Sequence, residues 1–166
     1  MKVELKNVKF SEHMSEETNA FTADVYVDGK KCGYAKNDGH GGCTEYHPYP
    51  ENRDLFIKAE RWLLDQPEIN IGTETKPYMV TCTMESKIEQ LFETWLNDKE
   101  TKKLEKKMET SLMWGVPKSD RYTIVNFKVK LTDIPSNILQ DKITFYKGLF
   151  KEGEKFLNTN LVGFDL

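Results

Sequence analysis

Apolar and polar residues alternate over residues 2–10 and again over residues 20–27, with a polar loop predicted at residues 11–19, and this alternation predicts β-strands. The alternation over residues 2–10 changes phase once, and such a slip predicts a bulge or a strong local twist. Residues 20–27 alternate without interruption and lead directly into Asp28-Gly29, the dipeptide that favours a type I′ turn. The chain is therefore expected to return antiparallel through residues 30–36, as a β-hairpin.

A helical period replaces this alternation further along the chain. Apolar residues recur at spacings of three and four over residues 51–65, which predicts an amphipathic helix. Thr83 is a predicted N-cap for a second helix, with a break at positions 97–98 and another helical stretch to about Glu109. A final helix is expected to open at Pro135-Ser136.

Two further strands are predicted, a short one over residues 111–115 and a longer, central or near-central one over residues 122–131. Strands therefore cluster with strands and helices with helices, which is typical of α+β proteins. We expect a mainly antiparallel sheet of about five strands, packed with three to four helices in a single layer on one face. No linker-like segment divides residues 1–166, so a single domain is predicted.

Composition, charge and cysteine usage indicate the cellular compartment in which the protein is expected. The formal net charge is −3, and the charge is uneven: residues 1–97 carry a net charge of −6 and residues 98–166 carry +3. The three cysteines form no CxxC pair, and the first residues lack the apolar region of a signal peptide. Apolar runs are also too short for a membrane helix. These features predict a cytoplasmic protein with reduced thiols.

A glycine-rich loop follows the hairpin. It comprises Asn37, Asp38, Gly39, His40, Gly41 and Gly42. Glycines let the backbone adopt left-handed conformations, and successive exposed N–H groups can form an anion-binding nest. One interpretation is a site for a phosphate, nucleotide or carboxylate; the other is a long hairpin exit that needs several positive φ angles. The spacing matches neither GxGxxG nor a P-loop.

The same loop holds possible metal or thiol chemistry. His40, Cys43 and His47 lie within eight residues, and imidazole and thiolate are the usual zinc ligands. No cofactor is expected from the sequence as a whole, with a structural zinc as the alternative. A thiol-dependent enzyme would use Cys43 with one of the two histidines. No orienting Asp or Asn stands at a recognisable spacing, and no complete catalytic motif is present, so a non-enzymatic protein is favoured.

A basic face is predicted on the helical stretch that ends near Glu109. Five lysines recur at i, i+3, i+4, i+7 and i+8: Lys99, Lys102, Lys103, Lys106 and Lys107. Such a stripe can meet an acidic protein surface or nucleic acid. The alternative is a solvated helix face, and no arginine or aromatic residue accompanies the lysines.

Two segments of the chain resemble small uncharacterised proteins of bacteriophages and mobile elements. The first runs from Val27 through the Asp-Gly-Lys-Lys turn into the loop up to Gly42, and the second is the Asn-Thr-Asn-Leu tail, residues 158–161. The resemblance implies a bacterial host cell and an accessory protein that binds a host macromolecule, a protein or protein complex in the first instance, for example to inhibit a defence system. A nucleotide-binding or sequestering domain is the alternative. No catalytic residues are implied.

Overall fold

The structure, a computed structural model, describes residues 1–72, 76–117, 119 and 121–166. Its three α-helices are α1 (Arg53–Leu64), α2 (Met84–Met108) and α3 (Ser136–Lys147). Its strands are β1 (Val3–Phe10), β2 (Phe21–Val27), β3 (Lys30–Asn37), β4 (Glu45–Pro48), β5 (Ile69–Asn70), β6 (Met79–Val80), β7 (Ser111–Gly115), β8 (Tyr122–Asn126) and β9 (Lys155–Phe156). Short 3-10 helices cover Glu12–Met14, Pro50–Asn52 and Leu131–Asp133.

The predicted α+β class is confirmed, and the strand pairs are antiparallel. The described strands lie in three separate sheets, in the orders β1-β2-β3-β4, β5-β6 and β8-β7-β9, rather than in one sheet of about five strands. Alternation along a strand reveals its two faces but not its partners, and β5, β6 and β9 are too short to show alternation at all.

Contacts divide the chain into two compact units, Met1–Leu96 and Asn97–Leu166. Each unit has a buried core of its own. The expectation that residues 1–166 form a single domain stays a prediction.

In the first unit, a four-stranded sheet and two helices share one core. Inward side chains of β1–β3 pack with Phe56 and Leu63 from α1 and with Ile88 and Phe92 from α2. The ring of Phe92 stacks on that of Phe21, with centroids 4.1 Å apart. The opposite face of this sheet carries polar and aromatic side chains, because residues alternate between faces along each strand.

Backbone conformation at the strand ends follows the sequence closely. Asp28 and Gly29 have φ angles of 46° and 80°, and they link Val27 to Lys30 as a two-residue hairpin turn, as predicted. The phase slip in β1 is also confirmed: its pairing with β2 shifts between Lys6 and Lys9, where Asn7 has a φ of 52°.

The predicted helix break at positions 97–98 is wrong, because α2 continues through Asn97 and Asp98 to Met108. In a helix interior, asparagine and aspartate are each less favourable than alanine by well under about 1 kcal/mol. The Lys- and Glu-rich sequence around Asn97 and Asp98 favours helix. The start is as predicted: Thr83 Oγ1 accepts the Ser86 N–H at 3.1 Å. Within the described residues, no helix is both long enough and apolar enough to cross a membrane.

The second unit is built on a three-stranded sheet with β7 at its centre. The predicted central strand over residues 122–131 is shorter, ends at Asn126 and lies beside β7 only. Asn126 Oδ1 accepts the Lys128 N–H at 2.7 Å, and Lys128 has a φ of 59°, so the chain turns where alternation suggested extension. The tail docks through buried Asn158, which bonds to the backbones of Ser111 and Met113.

We expect Phe92→Ala to lower the free energy of unfolding by about 3–5 kcal/mol, since it removes a buried ring and leaves a cavity. Phe92 is 2% exposed, whereas Leu64, at 57% exposed, is a matched apolar control. Chemical denaturation followed by circular dichroism measures both variants. An equal, small loss for Phe92→Ala and Leu64→Ala would contradict the proposed core.

Candidate functional site

The side chain of Asn37 organises the glycine-rich loop. It is 9% exposed and stands at the end of β3. Its Oδ1 accepts hydrogen bonds from Thr18 Oγ1 at 2.8 Å and from the Gly39 N–H at 2.9 Å. Its Nδ2 donates to the Gly42 carbonyl at 3.0 Å and to Thr44 Oγ1 at 3.3 Å. Both ends of this predicted ligand-binding amide are therefore engaged by the loop itself.

Gly39 ties the loop to the segment that connects β1 and β2. Its carbonyl oxygen accepts the N–H groups of Glu16, Glu17 and Thr18, at 3.0, 3.0 and 3.2 Å. Its φ of 89° lies in the left-handed region, and an added Cβ would collide with the Met14 carbonyl, so this position requires glycine. The glycines thus serve a close approach between two chain segments.

The backbone N–H groups of Gly39 and Gly41 already have protein acceptors. Gly39 donates to Asn37, and Gly41 donates to Thr18 Oγ1 at 3.3 Å. A bound anion would need to replace these contacts, and it would approach the carboxylates of Glu16 and Glu17. The anion-binding role of residues 37–42 stays a prediction, and the hydrogen bonds described here support the structural interpretation of the loop.

A cavity of about 340 Å³ lies beside the loop, and its lining residues are Lys36, Asn37, Asp38, His40, Gly42, Cys43 and Glu45. The Lys36 ammonium stands 3.1 Å from the Glu45 carboxylate and 4.0 Å from that of Asp38. The Glu45 hydrogen bond raises the pKa of Lys36, and the Lys36 contact lowers the pKa of Glu45. The single cation in this lining is thus matched by two carboxylates.

A second hydrogen-bond chain joins the loop to α2. Thr44, which is buried, donates its N–H to Glu85 Oε1 and its hydroxyl to Glu89 Oε1, each at 3.2 Å. Burial raises the pKa of the Glu89 carboxyl. The bond from Thr44 acts in the opposite direction, and the charges of Glu85 and Glu93 raise the pKa further.

Two of the predicted metal ligands, His40 and Cys43, line the cavity beside the loop, and His47 Nε2 lies 3.7 Å from the carboxylate of Glu45, which lines the same cavity. His40 Nδ1 lies 3.1 Å from Glu16 Oε2, while the His47 ring packs 5.1 Å from the ring of Tyr34. Cys43 is exposed. Among the described residues, no group of three or more His, Cys, Asp or Glu side chains is arranged to hold a metal ion. Zinc binding by His40, Cys43 and His47 therefore has no support from this geometry.

The predicted lysine stripe lies on the last turns of α2. All five of its lysines are exposed: Lys99, Lys102, Lys103, Lys106 and Lys107. Helix geometry places them within an arc of about 140°. Leu104 and Met108, which are half-buried and buried, stand outside this arc. The stripe therefore exists as a surface feature of the second unit.

Sequence reasoning missed the outward face of the first sheet. Tyr26 and Tyr34 point to this face, as do His47 and the neighbouring Tyr49 ring. The clean alternation in β2 already places Tyr26 opposite the core, so the signal was present in the sequence. The adjacency of Tyr34 and His47 could not be predicted, because β4 lies where the sequence suggested only loop.

We expect Asn37→Ala to lower the free energy of unfolding by about 2–4 kcal/mol, because it leaves several buried partners unsatisfied. Asn37→Asp keeps the acceptor for Thr18 and Gly39 but loses both donated bonds, so it should destabilise by an intermediate or similar amount. Thermal and chemical unfolding measure both. Wild-type stability in Asn37→Ala would contradict the organising role of this amide.

We expect Glu89→Gln to raise stability at pH 7 by up to about 0.5 kcal/mol. The pKa of Glu89 is higher in the folded than in the unfolded chain, so ionising this group weakens the fold as the pH rises above its usual value of 4.5. The advantage of glutamine should therefore vanish at about pH 4 and below. Exposed Glu51→Gln is the control; a gain that does not depend on pH would contradict this assignment.

Comparisons with known proteins return no relatives for this chain. Neither the protein-family models, the curated proteins nor the solved structures give a match.

Proposed function

We propose that the protein is a non-enzymatic accessory protein of a phage or mobile element that binds an acidic host protein in the bacterial cytoplasm through the lysine stripe of α2. The observation that carries the proposal is the exposure of all five lysines, together with the exposure of every residue from Asn97 to Lys103. A helix segment that is exposed on all sides buries little surface in the core of the protein. Its side chains are therefore accessible to a binding partner.

The distribution of charge supports a protein partner more than a nucleic acid. The stripe is flanked by Glu100, Glu105 and Glu109, all exposed. A protein surface can pair acidic groups with the lysines and basic groups with the glutamates, whereas a nucleic acid would use the lysines alone. The stripe also carries no aromatic side chain on which an unpaired base could stack.

Electrostatic attraction of this type mainly accelerates association and weakens as salt is added. The resemblance noted from the sequence suggests that the bound protein belongs to a host defence system, which such an accessory protein would inhibit by occupying its surface.

We expect the triple variant K102E/K103E/K106E to lose at least about tenfold in affinity for the host partner, because it reverses the charge of the stripe. The matched control K58E/K142E/K151E changes the net charge equally, at three exposed lysines elsewhere. Affinity capture from a bacterial lysate, followed by titration of the captured protein at two salt concentrations, measures the effect.

Equal loss in both triple variants would show a non-specific charge effect and would contradict the proposal. Capture of nucleic acid instead of protein, abolished by nuclease, would replace the proposed partner. The stripe variant should retain the wild-type helix content, because the three positions are exposed. Circular dichroism measures this content.

A further inference from the structure

We propose that the outward face of the β1–β4 sheet binds single-stranded nucleic acid, with bases stacking on its tyrosine rings and phosphates meeting its lysines. This surface, here called the open face, belongs to the first unit and is distinct from the lysine stripe. The inference therefore goes beyond the proposed function and does not depend on it.

Aromatic rings form a connected group on the open face. The Tyr34 ring lies 5.1 Å from the His47 ring and 6.1 Å from the Tyr49 ring. The Tyr34 residue is 37% exposed to solvent, although aromatic side chains of a small protein are usually buried in its core. A planar base can stack on such a ring whatever its sequence, and aromatic platforms on sheets are a general means of holding unpaired bases.

Lysines surround these rings. The Lys6 ammonium lies 4.4 Å from the centre of the Tyr26 ring, and that of Lys31 lies 5.5 Å from the centre of the Tyr49 ring. Lys9 and Lys36 face the same side, since they pair across the sheet with Thr22. Within the strands, the open face thus holds four lysines against three carboxylates, those of Glu4, Asp24 and Glu45. At its edges, Lys2 Nζ lies 2.8 Å from Glu4 Oε1 and Asp38 Oδ2 lies 4.0 Å from Lys36 Nζ, so the lysines still exceed the carboxylates by one.

This balance differs from that of the surrounding chain. Residues 1–97 carry a net charge of −6, yet the open face is slightly basic. Other carboxylates of this unit lie elsewhere, including those of Glu16 and Glu17 beside the glycine-rich loop. Segregation of this kind steers a polyanion toward one face of an otherwise acidic unit.

A cavity of about 400 Å³ opens beside the Tyr34 ring, and its lining includes Asn7, Lys9, Thr22 and Asp24. Asn7 occupies the bulge of β1 with a φ of 52°, and its Nδ2 donates to Asp24 Oδ2 at 2.7 Å. An amide, a hydroxyl, an ammonium and a carboxylate thus stand next to an aromatic ring. These groups match the edge of a stacked base, which presents both donors and acceptors.

Single strands fit this face better than the other ligands that stack on tyrosine. Bases in a duplex are stacked on each other and do not offer their faces to a ring. A neutral sugar could stack on Tyr34, but it would gain nothing from the four lysines. The combination of rings and lysines therefore favours an unpaired polynucleotide.

Fluorescence anisotropy with labelled oligo(dT) of about twelve nucleotides tests the proposal at low salt. We expect wild-type protein to bind, with an affinity that falls as salt is added. Tyr34→Ala should weaken binding between about 5-fold and 150-fold, whereas Tyr34→Phe, which keeps the ring, should change it less than about threefold. Lys58→Ala in α1 is an exposed control and should bind as wild type does.

Glu45→Gln provides a second variant with the opposite sign. This substitution removes the carboxylate whose oxygen lies 3.1 Å from the Lys36 ammonium, so that Lys36 can contact a phosphate instead. It should therefore increase the affinity for oligo(dT) by about twofold or more. The stripe variant K102E/K103E/K106E should retain most of its affinity for oligo(dT), which separates this inference from the function proposed above.

Several results would overturn the inference. These are the absence of oligo(dT) binding at about 100 µM protein, equal binding of duplex and single strand, or an unchanged affinity in both Tyr34→Ala and Glu45→Gln. Tighter binding of a neutral oligosaccharide than of oligo(dT), lost in Tyr34→Ala, would assign the face to sugars instead.

Discussion

The arrangement of the first unit depends on one buried amide. Asn37 ends β3 with a polar side chain in a buried position, and a buried amide is tolerated only when its donors and acceptors are paired. Its partners lie on both sides of the loop and on Thr18, so meeting that requirement fixes the path of the chain. The loop can then return as β4, which brings His47 opposite Tyr34 and completes the open face.

Features with a local cause could be predicted from the sequence. The Asp28-Gly29 turn, the bulge in β1, the first helix and the Thr83 cap each follow from a few neighbouring residues, and all four are present. Features with a distant cause could not. The assignment of strands to three sheets and the existence of β9 depend on partners that no window of sequence contains.

The same distinction applies to the candidate sites. Glycines at positions 39, 41 and 42 correctly located an unusual loop, but their density could not reveal that the Gly39 carbonyl would accept three N–H groups from residues 16–18. The helical spacing of the α2 lysines was sufficient, because a helix face is defined by local spacing. Two tyrosines of the open face lie in different strands and Tyr49 follows β4, so their proximity appears only with the sheet register.

The electrostatics of the first unit differ between the glycine-rich loop and the open face, although the two surfaces meet at Lys36 and Glu45. Near the loop, the carboxylates of Glu85 and Glu89 are bonded to Thr44, and the raised pKa of Glu89 reflects a group that is partly withdrawn from water. On the open face, burial acts to raise the pKa of the Asp24 carboxyl, but the hydrogen bonds from Asn7 and Lys31 together outweigh it and lower the pKa. Its charge is thus largely compensated within the sheet, while Lys6 and Lys9 extend from the neighbouring strand. A polyanion that approaches this unit would be repelled at the loop and accepted on the open face, even though both surfaces belong to one acidic segment of chain.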